Sequence, residues 1–220
     1  MTLYCTGLGI AQLSRAGIFA LKFFTVWTWW LLTIYFALGA LGAFRAQRTR
    51  YLDHLVLVLF QINVQMVLTV VLMTWGVLYP MLKALPSWGR TRQMLISFTS
   101  YNQHGANLAF LIVDMLLSDI PPLWHLGAYS GFLHSSFGIW ALAHQLRHGR
   151  PLYPFLDVNH PQLVLRYIGL YAGWWFFLWM SIRLQMGIAN AKRAWRGMLE
   201  LRRPARTRSS RPVAEDRKSE

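Results

Sequence analysis

The residues able to do chemistry gather inside stretches that are otherwise apolar. Ser97, Thr99, Ser100, Tyr101, Asn102, Gln103, His104, Asn107 and Asp114 form the densest group. Spacings of three and four put Ser97, Ser100, His104, Asn107, Leu111 and Asp114 on one stripe of a helix. Thr25, Thr28 and Thr33 lie upstream, followed by Gln61, Gln65 and Thr69 with Asn63 on another face; Ser130, His134 and Ser135 lie downstream. A hydroxyl is a weak nucleophile until a base takes its proton, so a Thr beside a His is the smallest unit that can transfer an acyl group. Histidine suits the base role because its ordinary pKa lies near neutrality. Thr25 and His104 are the candidate catalytic pair. Asn107, one turn further on, is placed to orient His104 or to donate to an oxyanion. Ser100, His134 and Gln65 are the candidate supporting polar wall, and Asp114 with Arg183 is a candidate ion pair. The same residues also suit an architectural role, since a Thr in a helix bonds back to its own carbonyls and a His bridges neighbouring helices.

Other chemistries find no support in the motifs. There is no GxSxG elbow, P-loop, HExxH or GxGxxG. The single Cys5 permits neither an internal disulfide nor a CxxC metal site. His144 and His148 have metal-ligand spacing but lack the repeated histidine boxes of a membrane di-iron enzyme, so no metal is expected. His54, His104, His134 and His144 lie on different stretches, and haem would need paired histidines at matched depth on facing helices. No cofactor is therefore expected. Transport is disfavoured because the chain shows no inverted repeat and no pair of broken helices.

The elements that must position these residues follow from composition. Of the 220 residues, 55% are hydrophobic and only 14% charged, against roughly a quarter charged in an average globular chain. A helix needs about 20 apolar residues to cross a bilayer, and five stretches qualify: about 16–44, 55–82, 93–117, 120–146 and 167–191. The second and fourth carry no Asp, Glu, Lys or Arg, which leaves too little polarity for the outer stripe of a soluble bundle. Residues 1–15 are too short to span and lack the features of a signal peptide; they read as an interfacial segment or the remnant of a lost helix. The expected fold is an all-α, multi-pass transmembrane helical bundle of five spans over residues 1–191. The polar stripe must face protein or a water-filled cavity, which implies a polar interior pocket. Thr25 and His104 both lie early on helices running inward, so they meet at similar depth in the outer half of the membrane.

The net charge of +14 is unevenly placed, with ten of the 22 Lys and Arg between Lys192 and Lys218. The stretch 192–220 reads as a basic, disordered tail lying on anionic lipid headgroups. A retention signal or a phosphorylation switch at Ser209 and Ser210 is the other reading. Without a folded soluble module to present these charges, nucleic acid is not an expected partner. Lys and Arg concentrate on the side that holds the tail and the first loop, which places the N-terminus outside and the C-terminus in the cytoplasm.

Three segments, KFFTVWTWWLLTIYFALG (22–39), QHGANLAFLIVDMLL (103–117) and PLYPFLDVNHP (151–161), together resemble the superfamily of the androgen-induced (FAR-17a-like) and rolling-stone membrane proteins. The TVWTWW…LLTIYF run, and Asp114 ten residues after His104, lean toward the rolling-stone branch. The androgen-induced branch has six spans where this chain shows five. The resemblance implies a membrane hydrolase of fatty-acid esters of hydroxy fatty acids, with Thr25 matching the nucleophile and His104 the essential histidine. Its partners would then be membrane lipids and a lipid-ester substrate, in an endomembrane or the plasma membrane. The rolling-stone branch implies the alternative, a non-catalytic multi-pass protein acting in membrane organisation or fusion.

Overall fold

The computed structural model describes residues 1–44 and 49–202, and every regular element among them is helical. Three helices are long and apolar enough to cross a membrane: Phe24–Phe44, Arg50–Ala84 and Leu163–Leu199.

The residues expected to be an interfacial segment or the remnant of a lost helix are helical. They form α1 (Thr2–Ala16), a helix of 15 residues that lies along α2 (Phe24–Phe44). Cys5 is fully buried there, and its carbonyl accepts the Trp29 indole N–H at 2.9 Å. Gly9 admits the neighbouring ring: a Cβ at that position would stand 3.0 Å from Trp30 Cζ2. Gly17 then adopts φ 62°, a conformation that only glycine takes at little cost. A 3-10 turn over Gly17–Lys22 leads into α2. The first apolar stretch is thus split, and its long helix starts at Phe24 rather than near Ala16.

The centre of the molecule is α3 (Arg50–Leu72), which packs against α2, α7 (Asn107–Leu117), α8 (Gly127–His148) and α9 (Leu163–Arg202). Thr49 closes its N-terminus, its hydroxyl accepting the Leu52 N–H at 3.3 Å. The helix continues through a π-helical turn, Met73–Leu78, into α4 (Tyr79–Ala84). A proline ring presses on the carbonyl four residues back, and the wide turn lies where Pro80 needs that room.

The third apolar stretch is broken. α5 (Gly89–Leu95) ends before Ile96 and Ser97, and α6 (Phe98–Tyr101) runs through a second π-turn, Asn102–Ala106, into α7 (Asn107–Leu117). Ser97 leaves the expected polar stripe to become a cap, its hydroxyl accepting the Ser100 N–H at 3.3 Å. The fourth stretch becomes helical later than expected, because Pro121 and Pro122 hold the chain out of a helix; α8 covers Gly127–His148 and ends on Gly149 with φ 67°.

α9 (Leu163–Arg202) is longer than the expected 167–191. Residues 192–202, assigned by the sequence to a disordered tail, are helical. Lys192 is bound to Asp119 at 2.9 Å, to the Met115 carbonyl near the end of α7 at 3.3 Å and to the carbonyl of Ser118 just beyond it, while Arg196 reaches Asp119 at 2.8 Å. Cations favour the C-terminal end of a helix, and these bonds fasten the start of the basic segment. Residues 203–220, with Ser209 and Ser210, lie outside the described residues.

Candidate active site

Thr25 stands in the first turn of α2, just after Phe23, whose carbonyl accepts the Val26 and Trp27 N–H groups. His104 stands in the middle of the π-turn between α6 and α7. Their side chains meet: Thr25 Oγ1 lies 2.9 Å from His104 Nε2, and both residues are buried. The proton positions follow from the other side of the ring. His104 Nδ1 is 2.8 Å from the Ser100 carbonyl and 3.0 Å from the Ser100 hydroxyl. A carbonyl only accepts, so Nδ1 carries the hydrogen and Nε2 presents a lone pair. The Thr25 hydroxyl therefore donates to Nε2. Trp75, in the π-turn that follows α3, donates its indole N–H to the His104 carbonyl at 3.0 Å and fixes the turn from outside.

A cavity of about 750 Å³ opens beside Thr25. Thr25 belongs to its wall and His104 does not. The remaining wall is mostly apolar, from α2, α3, α8, α9 and the loop 149–162. Leu142, Tyr167 and Tyr171 also border an adjacent apolar hollow of about 580 Å³.

That loop supplies a residue the sequence reading passed over. The Tyr153 hydroxyl lies near the Thr25 side chain and the backbone of Phe24 and Thr25, whose polar groups act on it. Burial pushes its phenol up to about 12 against their effect, so the O–H stays protonated at neutral pH. Its ring is stacked on Phe155 at 5.3 Å. The loop is tied down by Gln145, which donates to Asp157 at 2.7 Å and accepts the Val158 N–H at 3.2 Å. Arg166 adds a bond to the Pro154 carbonyl at 2.9 Å. The Asn159 N–H and the Gln145 amide hold the Asp157 carboxyl below the usual carboxylate range. The signal available in the sequence was the aromatic, proline-bounded LYPFL segment on the side where Thr25 enters.

Other predicted site residues lie elsewhere. Asn107 is fully buried but bonds within its own helix, to the Gln103 carbonyl at 2.6 Å, so it neither orients His104 nor reaches the cavity. Gln65 bridges α3 and α8 by accepting the Ser130 hydroxyl, away from Thr25. His134 does line the cavity, with its ring 4.9 Å from that of Phe24. The Asp114–Arg183 pair does not form: Asp114 accepts the Tyr35 hydroxyl at 2.6 Å, and Arg183 lies over the Trp179 ring at 5.8 Å. Tyr35 is nearer because α2 passes α7 at that level, while α9 turns the Arg183 stem toward its own Trp179.

Comparison with protein-family models, curated proteins and solved structures returns no match for this chain.

Proposed function

We propose that the chain is an integral membrane hydrolase of lipid esters, with Thr25 as nucleophile and His104 as general base. The observation that carries this reading is the 2.9 Å contact from Thr25 Oγ1 to an imidazole nitrogen whose lone pair faces it, at the wall of a large apolar cavity. The resemblance of the three segments points to the same pair and to fatty-acid esters of hydroxy fatty acids or similar lipids.

In this mechanism Thr25 Oγ1 attacks the ester carbonyl and its proton passes to His104 Nε2. The adduct's oxyanion is met by the Tyr153 O–H at the positive end of α2. Collapse breaks the bond to the alcohol, which takes the proton from Nε2. Water then attacks the acyl-threonine with His104 again as base, which frees the fatty acid and restores the hydroxyl.

The membrane arrangement belongs to the same proposal. Residues 98–117 and α8 are long enough, at about 1.5 Å per residue, to cross alongside the three apolar helices. Five crossings with the basic segment in the cytoplasm put Thr25 in the outer half and the Asp119–Lys192–Arg196 cluster at the inner face. The exposed apolar side chains of α9 outside the cavity wall, including Phe176 and Trp179, then face lipid.

Labelling with a lipid-like fluorophosphonate tests the assignment. Wild type is expected to label, Thr25→Ser to label more or less as well, and Thr25→Ala to stay unlabelled while keeping its thermal unfolding transition. Absence of labelling in a folded wild type favours the non-catalytic alternative of rolling-stone type, in which the buried polar contacts only join helices.

A further inference from the structure

Helices α8 and α9 are pressed together at one level and stand apart at another. Gly127, Gly131, Gly138 and Leu142 fall on one stripe of α8, at spacings of four, seven and four. At the first two positions α9 is in contact: a Cβ on Gly127 would stand 2.5 Å from Leu178 Cδ1, and one on Gly131 2.6 Å from Trp174 Cζ2. At Gly138 a Cβ would meet nothing within 4 Å. The pairing of 127 with 178 and of 131 with 174 makes the two helices antiparallel. They therefore splay toward the end of α8 and the start of α9.

Two hollows lie at the splayed end. The cavity of about 750 Å³ has Thr25 and Gly138 in its wall. The hollow of about 580 Å³ is bordered by Val164 and Ile168, both exposed. Leu142, Tyr167 and Tyr171 belong to both walls, so their side chains are the partition between the two. Among the described residues no Asp, Glu, Lys or Arg lines either one, and both volumes are those of ligand pockets. The loop 149–162 spans the wide end. It is held to α8 by Gln145 on Asp157 at 2.7 Å and to α9 by Arg166 on the Pro154 carbonyl at 2.9 Å, and its Tyr153, Phe155 and Leu156 are cavity wall. With the loop above and the glycine contacts below, the smaller hollow opens sideways.

We infer that the splayed ends of α8 and α9 form a lateral entrance, through which an acyl chain of a membrane lipid passes from the bilayer to the cavity beside Thr25. Along this route the chain stays in apolar surroundings and never meets the cost of entering water. Leu142, Tyr167 and Tyr171 are exposed, and rotamer changes of such side chains are fast, so the partition yields to an arriving chain. This deepens the ester-hydrolase reading by naming the route of its substrate, and rests on that reading's membrane arrangement, but entry of lipid is measurable without turnover.

The test uses the full chain in phosphatidylcholine nanodiscs doped with a phosphatidylcholine that carries a diazirine midway along one acyl chain. Irradiation and peptide mass spectrometry locate the adducts. In wild type they are expected at Val164 and Ile168, at the half-buried cavity-wall residues Phe24 and Met73, and at Phe176 and Trp179 as ordinary lipid contacts. Val164→Trp combined with Ile168→Trp fills the smaller hollow with side chains that lie outside the cavity wall. That variant is expected to lose about 5-fold or more of the adducts at Phe24 and Met73, with those at Phe176 and Trp179 unchanged. Ile168→Trp alone, a milder change, gives an intermediate loss. Adducts in wild type that never reach Phe24 and Met73 overturn the inference, as do adducts there that persist at full level in the filled variant. If the lipid reaches both residues while Thr25→Ala still cleaves esters, the entrance stands and the threonine-hydrolase reading falls. If a fluorophosphonate labels Thr25 but the lipid reaches neither residue, the entrance alone falls.

Discussion

The groups around Thr25 have separate tasks. Ser100 sets the His104 tautomer through its backbone carbonyl, which no side-chain substitution deletes. Tyr153 sets its hydroxyl beside Thr25, and its ring, which a Phe keeps, packs near Phe23, Phe137 and Phe155. Tyr153→Phe is therefore expected to leave folding intact and lower the rate constant of ester cleavage about 100-fold or more, the usual cost of losing one oxyanion donor. Steady-state kinetics on a chromogenic long-chain ester measures it, and a fall in affinity with an unchanged rate constant would contradict the role. Asn107→Ala makes the contrast. Its amide bonds the Gln103 carbonyl and not the imidazole, so the loss is expected in unfolding temperature with kcat within about 3-fold of wild type on the same assay. In the sequence Thr25, Ser100 and His104 were readable as polar residues that an apolar helix must turn inward. Tyr153 was not, because its relation to Thr25 depends on how the loop 149–162 folds back over α2.

The helices approach one another through features only partly visible in their periodicity. Gly127 and Gly131 lie on the face of α8 that meets α9. A Cβ on Gly127 would come within 2.5 Å of a terminal methyl of Leu178, and one on Gly131 within 2.6 Å of the Trp174 ring. Both substitutions to Ala crowd a packed contact, which typically costs about 1–3 kcal/mol. A leucine methyl swings away more easily than an indole moves, so Gly131→Ala is expected to lower the unfolding midpoint more than Gly127→Ala. Thermal unfolding of the two variants side by side gives the order, and the reverse order refutes the packing argument. The two π-turns are a second element-scale device. Trp75, from the turn after α3, bonds the carbonyl of His104 in the turn before α7, so His104 is held where both helices depart from regular geometry. A stripe drawn at regular helical spacing carries no sign of such a turn, because its extra residue is accommodated by contacts with another helix.

At the scale of the whole molecule, Asp119 joins the ends of α7 and α9. Its bonds to Lys192 and Arg196 lower the Asp119 carboxyl to about 2. An ordinary Asp titrates near 3.9, so between those values the unfolded chain takes up a proton that the folded chain does not. The contribution of this exposed pair is complete above about pH 4 and disappears as the pH falls through about 2. Asp119→Asn is accordingly expected to show a slightly lower unfolding midpoint than wild type at neutral pH and low salt, with the gap closing below about pH 2 and narrowing in high salt. A gap that persists unchanged in acid would assign the effect to something other than charge. The arrangement also explains why the basic segment begins as helix: its first cations have partners on α7, which a reading of composition alone does not supply.

What the amino-acid sequence determined by itself was the helical class, the apolar character of the long helices and the need of the polar residues for an interior. All three follow from the cost of leaving backbone and side-chain polar groups unpaired in apolar surroundings. What the tertiary structure decided was pairing. Asp114 meets Tyr35 rather than Arg183, Asn107 turns to its own helix, and Thr25 faces His104 from the first turn of a helix that starts only after Gly17. Hydropathy and spacing fix which face of a helix is buried, but the partner found there depends on the axial offset and crossing of two helices. Those are set by tightly packed side chains far apart in the chain.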